Sequence, residues 1–511
     1  MSEDKNQAIR DIVKGASIVY VGLFLELLIA FVAQVIAARY LSVSEFGGLT
    51  AGTALLDIGS ILAGLGLASG LTRYLPRIGD EEKRMLASTT IVITFVTSVL
   101  LGTVVTLNAS FIASEIFGNP EVTVSIRTFG AAIPFAALLN VSVGGIRGQE
   151  RSLYRVYVKN IIHPVTRFVL VIGAVVYGLG QVGLASAYAA PYIVSGAIAL
   201  LLLHRTLPRT SSSFDSELFT RVTRYSLPFT ISGVTGFVYR SIDIFLILYF
   251  LGDTATGIYG VAYAAVSFMG MYSTAFNYLG SPIASKLESD GNVDDVMDMF
   301  SSVARWLVIA SVCTLVPLGV FSTEFISIIY ESKYASGGPV LLILAAGFAA
   351  KNVLSIHSPI LESLGLSKTI SFNSVVAAAV NLGLNILLIP EFGITGAAVA
   401  TVISFLVRDG LAAVEVYYHL GTTPISWQVI RPVAVAIPSL TIFATIIAPE
   451  IPTTIPWLIG ATGSFTVSLV LGVLFVFGLS KTEVMVIRSA EERYNLNLGP
   501  FDRLVRHLAR R

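Results

Sequence analysis

An all-α, polytopic membrane protein follows from three features of these 511 residues: a surplus of apolar side chains, their grouping into about 14 stretches of spanning length, and a one-sided distribution of Lys and Arg. The chain is 54% hydrophobic and 13% charged, with a mean hydropathy of +0.79. A soluble domain carries roughly 25% charged residues. Several soluble cores would need a polar surface that this composition cannot supply.

A helix needs about 20 apolar residues to cross the hydrocarbon core. Such stretches lie at 15–38, 47–69, 86–107, 122–144, 160–178, 181–203, 226–251, 258–280, 303–322, 338–357, 369–389, 394–418, 431–448 and 456–479. The first is longer than a signal-peptide core and no small-residue cleavage pattern follows it, so it reads as a span. Several spans carry Pro or Gly, which bilayer helices tolerate.

The cations test the count. With the N-terminus in the cytoplasm, 26 Lys and Arg fall on inside segments and three, Arg39, Arg127 and Lys333, on outside ones. That bias predicts cytoplasmic N- and C-termini, an even number of spans and residence in the cell membrane. The segment 205–225 reads as a cytoplasmic linker between an N-terminal six-helix bundle, 1–204, and a C-terminal one, 226–420. Two further spans occupy 421–480, and 481–511 is a basic tail ending in FDRLVRHLARR, expected to rest on anionic lipid.

The net charge of +1 points to no nucleic-acid partner, and the single cysteine, Cys313, permits no intrachain disulfide. No P-loop, H-E-x-x-H or nucleophile elbow is present, no loop is large enough for a soluble catalytic domain, and no metal site is expected. The chain is therefore expected not to be an enzyme.

An internal repeat is visible in the glycines. Leu41 precedes Gly47 by six residues, as Leu251 precedes Gly257, an offset of 210; Gly180-x-x-Gly183 matches Gly393-x-x-Gly396 at an offset of 213. Each pair joins span n to span n+6. Both halves then share one orientation, related by a pseudo-twofold axis along the membrane normal, with substrate between them near the midplane.

Three segments carry a family resemblance: ARYLSVSEFGGLTAGTALLDIGSILAGLGLASGLTRYLPR (38–77), YSLPFTISGVTGFVYRSIDIFLI (225–247) with LGDTATGIYGVAYAA (251–265), and AVNLGLNILLIPEFGITGAAVATVISF (379–405). They resemble the Wzx-like oligosaccharide flippase branch of the multidrug/oligosaccharidyl-lipid/polysaccharide exporter superfamily. The resemblance implies two six-helix bundles working by alternating access. It implies a polyprenyl-phosphate-linked saccharide turned from the inner to the outer leaflet, with glycosyltransferases of the same pathway as partners. Spans 13 and 14 are common in this branch. The GDEEKR segment at 79–84 looks archaeal, where the carrier would be dolichyl phosphate and the glycan would decorate surface glycoproteins. A monomer is expected.

Eight ionisable residues inside the spans are singled out: Glu26, Asp57, Asp243 and Asp409, and Arg167, Arg240, Lys351 and Arg408. Intramembrane charges usually face a bundle interior or a wet cavity and mark a transport path. Arg240 and Asp243 share one helix face. They are either a self-neutralising ion pair that lets the span insert, or a phosphate clamp in which Asp243 holds the Arg240 fork. Lys351, Arg167 and Arg408 are further candidates for binding an anionic headgroup; each also has a bland account, snorkelling in the case of Lys351. Arg408 and Asp409 are adjacent and are expected to point to different faces. Asp57, Glu26 and Asp243 are candidate sites for a coupling proton or Na⁺, the only cofactor anticipated; Asp57 and Glu26 read equally as protonated carboxyls bonded to a neighbouring helix. Asn140, Asn277, Asn352, Asn381 and Asn385 are expected to be interhelical glue.

Four interior cations favour an anionic, lipid-linked saccharide. The competing readings are a multidrug or cation antiporter of the same superfamily, which would favour acids without matching bases, a membrane ligase or polymerase, and a non-transporting scaffold.

Overall fold

A computed structural model describes residues 22–210, 213–274, 293–452 and 454–478. Among them there is no strand, and 12 helices are long and apolar enough to cross a membrane. The basic tail and Asn277 lie outside the described residues.

By contact density the chain divides into two units, Met1–Ala264 with Ala378–Thr401, and Ala265–Ala377 with Val402–Arg511. The first holds α1 (Gly22–Tyr40), α2 (Val43–Gly64), α3 (Leu67–Tyr74), α4 (Asp80–Leu107), α5 (Thr123–Gly148), α6 (Leu153–Val176), α7 (Gly180–Thr206), α8 (Ser216–Leu251) and most of α9 (Asp253–Ser267). Its starts are written in the sequence. Ser42 opens α2 through a capping box: its hydroxyl accepts from Glu45 N at 3.2 Å and the Glu45 carboxylate accepts from Ser42 N at 2.9 Å. Asp215 caps α8, accepting from Glu217 N at 2.8 Å and Leu218 N at 3.0 Å. That cap starts α8 ten residues before the apolar stretch at 226.

Small residues let these helices approach closely, as bilayer packing favours. The centre is α5, packed on α2, α3, α4 and α7. A Cβ on Gly144 would lie 2.5 Å from the Ala68 carbonyl oxygen, and one on Gly102 2.8 Å from that of Gly130. Leu67, Leu71, Leu75, Leu86, Ile146, Leu203 and Val222 form a buried cluster at one end of the unit.

α6 departs most from expectation. It begins at Leu153, seven residues before the stretch at 160, and residues Val156–Ile162 are π-helical. Pro164 follows this stretch, and having no N–H it cannot complete the α-pattern to the Asn160 carbonyl. Arg155 and Lys159, expected in a loop, therefore lie within the span.

The second unit holds α10 (Val293–Val320), α11 (Ser322–Tyr330), α12 (Gly338–Leu354), α13 (His357–Ser363), the outer parts of α14 (Ser367–Leu420), α15 (Trp427–Ile442) and α16 (Ile455–Phe477). α10 packs against α12, α15 and α16. Phe300, Ile356, Leu361 and Val416 form one buried cluster, and Ile309, Phe443, Phe465 and Leu469 another. Arg305, counted among the inside cations although it falls at the start of the stretch 303–322, is buried in α10 and donates to the Gly478 carbonyl at 2.8 Å, closing the end of α16.

α14 contains both predicted spans 369–389 and 394–418. A straight helix of its 54 residues would run about 80 Å against a core of roughly 30 Å. Gly393, at φ 63° and ψ −145°, breaks it. The glycine motifs of the repeat share one role here: Gly180 also has positive φ, 59°, and the partner glycines abut the preceding arm, Gly183 against Leu179 and Gly396 against the Leu388 carbonyl.

Candidate functional site

The first unit gathers charge from four helices. Glu26 of α1 is half-buried and accepts a hydrogen bond from the Asn160 amide of α6. Asp57 of α2 is exposed, yet Arg167 and Lys159 of α6 and Arg240 of α8 stand within electrostatic range of it. Arg155, Lys159 and Arg167 likewise act on Glu26. Among the described residues, two carboxylates thus face four cations. An exposed side chain ringed by opposite charges on other helices lines an open space within the unit rather than its outer wall.

Arg167 is held in place. Its Nη2 donates to His163 Nε2 at 2.9 Å, and its guanidinium lies 5.1 Å from the Tyr188 ring centre. A guanidinium only donates, so Nε2 accepts. The imidazole is therefore neutral with its proton on Nδ1, which faces Ser195 Oγ at 3.3 Å. Tyr192 packs edge-on against the imidazole at 4.5 Å. The Arg167 Nε–H is buried without a hydrogen-bond partner. Arg240 is exposed.

A cavity of about 290 Å³ opens beside these groups among α2, α3, α5, α6 and α8. Its walls mix polar groups, Ser60, Thr72 and Asn140, with apolar ones, Ile61, Val141 and Phe229, and its cations are Arg147, Arg155 and Lys159.

Asp243 corrects the sequence reading. It is buried, 1% exposed, and its carboxylate accepts from the hydroxyls of Tyr259 and of Thr401, the latter at 3.3 Å, and from Ile244 N at 3.0 Å. It makes no ion pair with Arg240 and does not hold its side chain. Three-residue spacing permits a pair, but the chain turns Asp243 inward to two hydroxyls and leaves Arg240 exposed.

The remaining candidates lie in the second unit. Lys351 of α12 is half-buried, its Nζ 4.2 Å from the ring centre of Phe405 and 5.1 Å from that of Phe348. Arg408 and Asp409 do not diverge: Nη1 lies 3.7 Å from Oδ1, and the Asp409 side chain is 1% exposed. Neither Asp409 oxygen accepts a hydrogen bond. Of the asparagines, Asn140 bonds Ser60 across helices at 3.3 Å and Asn352 the Met269 carbonyl at 2.8 Å, whereas Asn385 bonds Asn381 within its own helix.

Sequence reasoning missed Arg147, Arg155, Lys159 and His163. The signal for three of them was present: residues 155, 159, 163 and 167 recur every fourth position, with three of the four cationic.

Comparison with known proteins agrees with this architecture. The probable low-salt glycan biosynthesis flippase Agl15 of Haloferax volcanii is 26% identical over 380 residues, 74% of this chain and 77% of that protein. Among solved structures, the lipid II flippase MurJ in an inward closed conformation superposes with a TM-score of 0.71 at 15% identity, covering 90% of this chain and 98% of that one. A multidrug resistance MATE family transporter of the MOP superfamily, inward-facing, superposes with a TM-score of 0.62 at 16% identity, covering 78% and 94%. The polysaccharide biosynthesis protein family model matches residues 12–288, more than half of the sequence, and the chain belongs to that family.

Proposed function

We propose that this protein is a flippase for a saccharide linked to a polyprenyl or dolichyl phosphate. It carries the headgroup from the cytoplasmic to the outer leaflet of the cell membrane by alternating access, and catalyses no covalent step. The carrying observation is the surplus of cations around Asp57 and Glu26: Arg167, Arg240, Arg155 and Lys159 against two acids. A lone charge at the bilayer centre costs at least about 3 kcal/mol. A surplus of like charges lowers that cost for an anion of opposite sign. Arg240 and Arg167 offer planar forks that match phosphate. The same surplus argues against a cationic drug as cargo. The sequence relationship to a glycan flippase supports the reading.

Fourteen spans in two like-oriented bundles, with both termini cytoplasmic, complete the proposal. Lys351 and Arg408 contribute to the headgroup path. Asp57, Glu26 and Asp243 are the candidate positions for a coupling proton or Na⁺. The protein works as a monomer, fed by glycosyltransferases that build the headgroup on the inner leaflet.

The test is reconstitution in liposomes with a fluorescent prenyl-phosphate-linked sugar, followed by quenching from outside. Protein-dependent transfer between leaflets is expected. Efflux of an organic cation without such transfer would overturn the proposal in favour of a drug antiporter.

A further inference from the structure

We propose that Arg147, Arg155 and Lys159 form a second anion subsite, which receives the phosphate of the lipid-linked headgroup before it reaches Arg167 and Arg240. The proposal rests on the flippase reading and adds an intake position to it.

The geometry is that of a stripe. Arg155, Lys159, His163 and Arg167 are spaced by four along α6. In an α-helix four residues overshoot one turn, and in a π-helix they fall short of one. A helix that is π over Val156–Ile162 and α from His163 onward therefore keeps all four on one side. Twelve residues separate the ends, a path of up to about 18 Å. One end lines the 290 Å³ cavity, where Arg147 from the end of α5 joins Arg155 and Lys159. The other stands within range of Asp57.

The cavity is built for an anion. Arg147 and Arg155 both lie within electrostatic range of Lys159. Among the described residues, neither Arg147 nor Lys159 has an acidic group within 4 Å, for the ion pairs formed are Lys83–Asp80, Arg221–Glu217, Lys333–Glu331 and Arg408–Asp409. Glu26, the acid whose charge most affects Lys159, is bonded instead by Asn160. Gly64, Gly66 and Gly144 line the same wall, so backbone rather than side chain borders the space. Arg147 and Lys159, like charges held beside one open cavity, repel until an anion enters. A phosphate there lies on the same side of α6 as Arg167, which is positioned by the His163 between them.

The experiment measures binding of geranylgeranyl phosphate, geranylgeraniol and inorganic phosphate to the full-length protein in nanodiscs. Wild type is expected to bind the lipid phosphate and not the alcohol, with inorganic phosphate at least 100-fold weaker. The double variant Arg155→Gln/Lys159→Gln is expected to lose about tenfold or more in affinity and to flatten its dependence on salt. Lys159→Arg should keep affinity, and so should Arg151→Gln, which removes an exposed cation nearby. Unchanged affinity in the double variant overturns the subsite while leaving the flippase reading intact. Equal affinity for inorganic phosphate also overturns it, assigning the cavity to a free anion. Recovery of affinity in Glu26→Gln/Lys159→Gln, relative to Lys159→Gln, overturns it too, since Lys159 would then be only a counter-ion. Absence of lipid-phosphate binding in wild type sinks the flippase reading itself. Retention of the wild-type gel-filtration profile, with rescue by Lys159→Arg, separates loss of binding from loss of fold.

Discussion

Gly47 and Gly257 meet backbone to backbone, and they do so reciprocally. A Cβ on Gly47 would lie 1.8 Å from the Asp253 carbonyl oxygen, and one on Gly257 2.2 Å from that of Val43. Val43 and Asp253 are separated by the same 210 residues as the two glycines. Each glycine therefore meets the residue four positions before the other. The glycines that first suggested a repeat are the ones that touch.

Gly47→Val should therefore push α2 and α9 apart. Overpacking of this kind costs about 1–3 kcal/mol. The expected result is a lowered melting temperature in detergent for Gly47→Val and Gly257→Val alike. Gly173→Ala, where a Cβ meets nothing within 4 Å, should melt at or slightly above wild type.

Asp243 and Arg240 should separate cleanly on substitution. Asp243→Ala strands the buried Tyr259 hydroxyl, at a cost of about 1–3 kcal/mol in stability. Arg240→Ala removes an exposed side chain and should change stability by less than about 0.5 kcal/mol. Its effect is expected on transport: near-complete loss for Ala and partial activity for Lys, which lacks the fork. Thermal melts and the leaflet assay on the same preparations decide it.

His163 should act through Arg167. His163→Phe keeps the ring volume and removes the acceptor; transport is expected to fall about tenfold or more, since a hydrogen bond to a charged group contributes roughly 1.5–3 kcal/mol. His163→Gln offers an amide oxygen in place of Nε2 and should stand closer to wild type. Equal activity in all three would mean that Arg167 needs no positioning.

Arg305 should be structural. Arg305→Met leaves the Gly478 carbonyl without its donor, at about 1.5–3 kcal/mol for a charge-assisted bond. A lower melting temperature with unchanged transport per folded molecule is the expected outcome.

Much of the fold was legible because a bilayer imposes one length and one polarity on every span. Among the described residues twelve helices of the required length were there to be read, and the Gly393 turn separates two spans that the hydropathy trace had already divided. The errors cluster at span ends. Lys159 lies one residue outside the stretch at 160 and Arg305 two residues inside that at 303, and both were counted as loop cations, yet a long side chain can sit on a helix that continues past it. Side-chain partners were not legible, since helical spacing says which residues share a face and nothing of what that face meets. Asp243 finds Tyr259 and Thr401, 16 and 158 residues away, in preference to Arg240 three residues away. The Arg155–Lys159–His163–Arg167 stripe was hidden for a related reason: two of its members were counted as topological markers.

The turn at Gly393 also governs how this stretch is made. Two greasy arms joined with almost no hydrophilic connector, Glu391 being the one charge beside the turn, must leave the ribosome and enter lipid as a single hairpin. A side chain at 393 disfavours the positive φ and pushes the arms toward one overlong rod. The nascent chain would then strand its second arm in water, and quality-control proteolysis would remove it before any transport assay could be run.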